Sequence, residues 1–387
     1  QGNIKTWNQV NPAWPNVPMK LFGPGADSGT FAFNKDILRL VKAGKIAKAD
    51  ALKYRDDLKA RLEATTSPDG KPAAYVTRVP DNPYGRSARN IAREQGVNTD
   101  YFVWAPKTEP IGRFLYELGR TPRKTIAIYQ RMYSAASRLG AGMVRWDSLL
   151  RDCRLLHTSG ITFGLAAHSQ YERNYLLEAF QEAIAAKPAD CPVGLDFNYR
   201  STLWTRQQCA AVMTPLVTEH VDVFITTIED MAQVYGIGCG RYSAEDIDRG
   251  DIGELEDDDI KEFAFQVNNR FRTRVVAVTI RYPDSFEQHR WEAAVADRDG
   301  NFYRSPAVKP IVLMDRLGGG DTWNGGFYYG LLTEGFTPAG LQKGLLVGDA
   351  ATRLQQTMMF DLPIITKAEV QALMEADVAG GGKRTVR

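Results

Sequence analysis

The segment Asp315-Arg316-Leu317-Gly318-Gly319-Gly320-Asp321-Thr322-Trp323-Asn324-Gly325-Gly326-Phe327-Tyr328-Tyr329-Gly330-Leu331-Leu332 decides how the chain is read. Three consecutive glycines let the backbone approach a bound group closely, because no Cβ stands in the way. The residues after them, 322–333, have the character of a helix. A helix starting here points its free N–H groups and the positive end of its dipole at the same place. Together these features make an anion hole. Asp321, at the entry of the helix, is placed to take a proton from a hydroxyl while the neighbouring N–H groups stabilise a transferring phosphoryl group. A helix cap after a glycine turn would use the same residue, and local physics divides evenly between the two readings.

Outward from this run, short apolar stretches alternate with helical spacing. Strands are predicted over 74–79, 155–159, 193–197, 221–226 and 275–280, and helices over 84–95, 172–186, 259–269, 322–333 and 338–356. Such alternation implies an α/β fold, a mostly parallel sheet covered by helices on both faces. Segments 112–118 and 124–130, joined by Gly119-Arg120-Thr121-Pro122-Arg123, read as a β-hairpin that projects from this body as a lid. The beginning of the chain is different. Residues 1–34 carry Trp7, Trp14, Pro12, Pro15, Pro18 and Pro24 and read as loop, and 34–64 as two helices broken near Gly44. The turn Ser67-Pro68-Asp69-Gly70 closes that region. The expected organisation is an atypical N-terminal region at 1–70, a main domain at 71–375 with its lid at about 110–130, and a flexible tail at 376–387.

Composition narrows the function classes. The chain has 387 residues, 44% hydrophobic and 24% charged, which excludes a disordered, coiled-coil or collagenous protein. Its 48 basic and 46 acidic residues leave a net charge of +2, too little for a general field toward nucleic acid or a membrane surface. Neither partner is expected. Cys153, Cys191, Cys209 and Cys239 form no C-x-x-C pair and read as free thiols of a reducing compartment. With no apolar run of membrane-spanning length and no signal-like start, a cytoplasmic location is expected. The P-loop, dinucleotide-binding, zincin and hydrolase-elbow patterns are absent, and His157, His168, His220 and His289 lack ligand spacing.

The run at 315–321 closely resembles the C-terminal signature of the ribokinase (PfkB-type) carbohydrate kinases, D-T-x-G-A-G-D, with Arg316 in place of the Thr and Gly319 in place of the Ala. Two further segments resemble the branch of that family that phosphorylates 2-keto-3-deoxygluconate. They are Ile128-Tyr129-Gln130-Arg131-Met132-Tyr133-Ser134-Ala135-Ala136-Ser137 and Leu195-Asp196-Phe197-Asn198-Tyr199-Arg200-Ser201-Thr202-Leu203-Trp204. The resemblance implies a ribokinase-like three-layer α/β sandwich with a mostly parallel central sheet and a small β lid. It implies an ATP-dependent kinase that phosphorylates a primary hydroxyl of a sugar acid, uses Mg²⁺ and commonly forms a homodimer. Asp321 would be the general base, with Gly318, Gly319 and Gly320 forming the anion hole. Arg131 and Arg200 would hold the acid's carboxylate through paired hydrogen bonds, and Tyr129 and Asn198 would contact its hydroxyls. Thr279 and Arg281 would lie near the nucleotide's phosphates and ribose, Gly348 on the adenine-side helix, and Glu229 and Asp230 near a hydrated Mg²⁺.

The chain departs from the family's pattern in three places. The Asn-x-x-Glu motif aligns with Thr227-Ile228-Glu229-Asp230, and Met359-Phe360 stands where a Pro-Gly turn is expected. The family's opening strand and Gly-Gly-x-x-x-Asn loop are not found before Ala73. Instead, residues 5–33, with Gly25-Ala26-Asp27-Ser28-Gly29-Thr30, resemble a fragment of a periplasmic phosphate-binding protein, which implies phosphate contacts from Ser28 and Thr30. These departures keep a second reading open, a noncatalytic kinase-fold scaffold or regulator that binds sugar or nucleotide without turnover.

Overall fold

A computed structural model of the chain describes residues 73–378 apart from 118, 120–122, 124–125, 168–170, 283–287, 307–309, 360 and 362. The expected N-terminal loop, the helices over 34–64, the turn bearing Ser28 and Thr30, and residues 379–387 of the expected tail lie outside the described residues. The chain divides into two compact units, 1–111 and 112–387. The division falls after the first strand–helix–strand segment.

In the first unit, β1 (Thr77–Pro80) and β2 (Phe102–Ala105) pair in parallel, Thr77 opposite Phe102, with α1 (Pro83–Glu94) between them in sequence. Asn82 starts α1 by accepting hydrogen bonds from the N–H groups of Tyr84 and Gly85. A Cβ on Gly85 would fall 2.0 Å from the Pro80 carbonyl oxygen, so glycine is needed where the helix crosses the strand.

The second unit opens with a hairpin. β3 (Arg113–Glu117) and β4 (Ile126–Gln130) pair antiparallel, Phe114 opposite Tyr129, as the sequence predicts. The main sheet then uses β5 (Leu156–Ser159), β6 (Val193–Asp196), β7 (Val223–Thr227), β8 (Val275–Tyr282), β9 (Gln288–Asp297) and β10 (Phe302–Arg304), in the order β10-β9-β8-β7-β6-β5, with β11 (Ile311–Val312) on β9. β5 to β8 run parallel, and β9 and β10 antiparallel. The intervening helices are α2 (Trp146–Leu150), α3 (Gly160–Leu165), α4 (Tyr175–Ala186), α5 (Arg206–His220), α6 (Ile228–Tyr235), α7 (Ala244–Arg249) and α8 (Asp257–Phe271). Three more follow the sheet, α9 (Gly319–Glu334), α10 (Pro338–Gln355) and α11 (Lys367–Val378).

Strand periodicity produces the three layers. Alternate residues of a strand face opposite sides, so Phe224, Val276, Val278, Ala294 and Ala296 enter one core with Met213, Phe263 and Phe271 from the helices. Their neighbours Val223, Ile225, Val275, Ala277, Ala293 and Val295 enter the other, against Trp323, Phe327, Leu331 and Leu345. Both faces are buried, which explains the nearly continuous apolar runs. On the second face α9 and α10 touch through glycine. A Cβ on Gly330 would lie 2.1 Å from the Gly344 nitrogen, and one on Gly326 would lie 2.7 Å from the Gly348 Cα.

Some elements were absent from the sequence reading. β9 is rich in alanine, a helix former, and α5 contains Pro215, yet both are held by burial. At the other end α11 continues to Val378, where a tail was expected from 376, because Asp377 pairs with the buried Arg353 of α10. Among the described residues no helix is long and apolar enough to cross a membrane.

Candidate active site

The C-terminal ends of β6, β7 and β8, the start of α9 and the base of the hairpin surround one open cavity of about 700 Å³ within the second unit. Ligands of open α/β sheets bind at this edge. Asp321, Gly318, Gly319, Gly320, Tyr129, Arg131, Asn198, Arg200, Thr279, Arg281, Glu229 and Asp230 all line it. Gly348 does not. It packs on α10 against α9, where a Cβ would lie 3.0 Å from the Trp323 ring nitrogen.

The glycine run is shaped for close approach. Gly318 precedes α9 with φ of 72°, a left-handed conformation that favours glycine, and a Cβ there would meet the Asp361 carbonyl oxygen at 2.6 Å. No side chain caps this end of the helix. Beside Gly320 the space is open, and the Gly319 carbonyl accepts a 2.6 Å hydrogen bond from the Thr352 hydroxyl. The first turn of α9, with its dipole, borders the cavity and is open beside Gly320, as an anion requires.

Asp321 is solvent-accessible within the cleft, whose walls still strip away much of its water. That desolvation, followed by the negative charge of Asp361, raises its pKa above the ordinary carboxylate range, while Arg200 opposes the rise. Asp196 stands beside it, at the end of β6. Its carboxylate accepts from Asn324 Nδ2 at 3.2 Å and from Asn198 Nδ2 at 3.3 Å. Asn198 is held at φ of 43°, a region Asn tolerates better than most side chains. Desolvation, then the charge of Asp321, pushes Asp196 up to about 7. Burial, then Asp196, pushes Asp230 to about 7 as well. The cleft therefore carries several carboxylates close together and balances them with guanidinium groups.

Arg131 follows β4 and stacks on the Tyr129 ring with its guanidinium carbon 4.3 Å from the centroid. Its Nε and Nη2 are buried and have no hydrogen-bond partner among the described residues. Those two nitrogens form one edge of the guanidinium fork, the geometry that receives both oxygens of a carboxylate. Burial, with a contribution from the like charge of Arg200, lowers its pKa. The hairpin is also tied to the glycine run: Tyr116 donates to the Asp315 carboxylate at 2.9 Å, and the same oxygen accepts from the N–H groups of Arg316 and Leu317. Burial, followed by this bond, pushes the Tyr116 phenol up to about 12.

The altered metal motif has a local explanation. Thr227 caps α6 by accepting from the Asp230 N–H at 3.0 Å, so its hydroxyl is committed to the helix start. Glu229 and Asp230 still offer hard oxygen atoms to the cavity. Among the described residues no group of three or more His, Cys, Asp or Glu is arranged to hold a metal by itself. This donor set fits a Mg²⁺ that keeps waters and phosphate oxygens as its other ligands. Asp196, Asn324, His289, Gln356 and Asp361 also line the cavity and were not singled out from sequence, although Asp196 lies inside a quoted motif.

Comparisons with known proteins bear on the family and the fold. The family model described as pfkB family carbohydrate kinase matches residues 69–359. A 2-dehydro-3-deoxygalactonokinase of Haloferax volcanii is 26% identical over 351 residues, covering 90% of this chain and 97% of the relative. The crystal structure of a 2-dehydro-3-deoxygluconokinase from Thermotoga maritima superposes with a TM-score of 0.69 at 28% identity, over 82% of this chain and 87% of that one. A fructokinase with bound ATP from Xylella fastidiosa shares the fold, with a TM-score of 0.59 at 14% identity over 82% and 90% of the two chains.

Proposed function

Because the chain belongs to the pfkB family of carbohydrate kinases, we propose that it transfers the γ-phosphoryl group of ATP to the primary hydroxyl of a sugar acid of the 2-keto-3-deoxygluconate (2-dehydro-3-deoxygluconate) type. The observation that carries the sugar-acid assignment is the unpartnered Nε–Nη2 edge of Arg131 in the cavity wall. A buried guanidinium edge without an acceptor is unfavourable, and a substrate carboxylate that reaches it as the site closes would supply both acceptors. Arg200 adds a second positive charge to the same cavity. The relatives named for deoxyketo sugar acids are consistent with this substrate class.

The cavity lining supports the following transfer. Asp321 accepts the proton of the acceptor hydroxyl, whose oxygen attacks the γ-phosphorus as the bond to ADP breaks. The N–H groups of Gly318, Gly319 and Gly320 stabilise the charge on the transferring group. Mg²⁺, near Glu229 and Asp230, would neutralise phosphate charge. Thr279 and Arg281, at the end of β8, would contact the nucleotide, and Tyr129 and Asn198 the sugar hydroxyls; all four line the cavity. The Tyr116–Asp315 bond couples the hairpin to the anion hole, so hairpin closure over substrate can exclude water where the phosphoryl group moves.

The substrate class is tested by Arg131→Gln. The Michaelis constant for the sugar acid should rise by about 10–100-fold, as expected for a lost charge-assisted pair worth roughly 1.5–3 kcal/mol. Fructose and ribose, which lack the carboxylate, should respond little. An equal loss for acidic and neutral sugars would remove Arg131 from carboxylate recognition.

A further inference from the structure

Behind Gly319 lies a side chain that the transfer described above does not use. Gln356 ends α10, is fully buried and borders the cavity. Its Oε1 is hydrogen-bonded to Nε2 of His289, a buried residue of β9. An amide oxygen carries no proton, so the histidine nitrogen is the donor and the amide nitrogen is the end left facing the glycine run. The Gln356 backbone carbonyl accepts from the N–H groups of Met314 at 2.8 Å and Asp315 at 3.3 Å, just before that run.

Two observations single out this amide. Gln356 Nε2 is a buried donor without a hydrogen-bond partner among the described residues, a condition that calls for an explanation in a well-packed interior. A Cβ built on Gly319 would lie 2.6 Å from that nitrogen and 3.3 Å from the Thr352 hydroxyl. Such overlap is easily relieved when the opposing atom ends a mobile chain. Here the amide is enclosed and anchored at its other end by His289, and Thr352 is committed to the Gly319 carbonyl. The space that a methyl at position 319 would need is already filled.

We propose that Gln356 is a positioning residue of the anion hole: its amide takes the volume of the missing Gly319 side chain and sets a free N–H against the first turn of α9. This rests on the phosphoryl-transfer reading for its purpose but not for its geometry. The N–H dipole adds positive potential to a helix end already suited to anions. Filling the space behind Gly319 also fixes the backbone whose N–H groups meet the phosphate. Gly319, Gln356 and His289 therefore act as one unit, although 37 and 67 positions separate Gln356 from the other two.

The test is a cycle of Gly319→Ala, Gln356→Ala and the double variant, read by thermal melting and by binding of inorganic tripolyphosphate and of adenosine. Gly319→Ala should melt well below the native protein. The double variant should regain most of that loss, because the shortened side chain makes room for the methyl. Gln356→Ala alone should weaken tripolyphosphate binding by about 3–10-fold, the scale of one hydrogen-bonding dipole, and leave adenosine binding unchanged. If Gly319→Ala fails to fold, recovery of a folded double variant supports the pairing, and an unfolded double variant overturns it. Additive melting losses, or unchanged tripolyphosphate affinity in Gln356→Ala, would also overturn it. None of these readings needs turnover, so absence of sugar phosphorylation in the native protein would sink the kinase reading while leaving the Gly319–Gln356 coupling to be judged separately.

Discussion

Glycines 318–320, at the start of α9, border a cavity, whereas Gly326 and Gly330 farther along the same helix press against Gly348 and Gly344 of α10. At the start of the helix, Gly320 leaves room for a ligand, with nothing within 4 Å of a Cβ placed there, whereas Gly318 makes way for the Asp361 backbone and Gly319 for the Gln356 amide. Farther along, absence of a side chain leaves room for another backbone. Gly320 bears on function, Gly326 and Gly330 on stability, and Gly318 and Gly319 on both. A glycine-rich stretch therefore has no single meaning, and the contacts made by each position decide it.

That contrast breaks most sharply at Gly330. Alanine there would set a carbon 2.1 Å from the Gly344 nitrogen, with backbone that cannot step aside. Gly330→Ala should destabilise the fold by about 3 kcal/mol or more, the cost of severe overpacking, or prevent folding. Circular-dichroism melting measures it, and a native-like melting curve would show that the two helices are farther apart than described.

The functional end of the helix is sharpened by pH. A general base must be ionised, so turnover should rise with pH through the pKa of Asp321, which desolvation and Asp361 place above the ordinary carboxylate value of 3.8. Arg200 lowers that pKa. Arg200→Gln should therefore move the acidic limb of the kcat profile to higher pH. A limb in the native enzyme at or below the ordinary value, or one that Arg200→Gln shifts downward, would contradict the assignment.

Gly320→Ala should have the smallest effect on folding. Its built Cβ meets nothing within 4 Å and its φ is not in the left-handed region, so stability should change by less than about 1 kcal/mol. Substrate kinetics should suffer more than melting, because the methyl intrudes on the ligand side. A large melting loss with intact kinetics would reverse the proposed division of labour along α9.

The three-layer architecture was legible because its central strands are buried on both faces and therefore stand out as apolar runs such as Val275–Tyr282. β9 was hidden because Ala293, Ala294 and Ala296 suit a strand only through the sheet around them. The glycine run and Asp321 were visible as a local motif, and Arg131 and Arg200 as basic residues just beyond strands. The family resemblance places Gly348 on the adenine-side helix, and the structure shows that its missing side chain makes room for Trp323 of α9. Asp196 was harder to distinguish, since its significance depends on Asn324, which is 128 positions away, and on the charge of Asp321. Gln356 and His289 gave no signal, because their partnership is made only by the fold.

The central claim is tested most directly by ADP release with Mg-ATP and 2-keto-3-deoxygluconate, beside fructose, ribose and no sugar, for the native protein and Asp321→Asn. The native protein should turn over the sugar acid in preference to the neutral sugars. Asp321→Asn should lose about 10²–10⁴-fold in kcat, the usual contribution of a positioned base, while melting normally. Native turnover that survives in Asp321→Asn would contradict the assigned base, and sugar or nucleotide binding without any turnover would favour a noncatalytic kinase-fold protein.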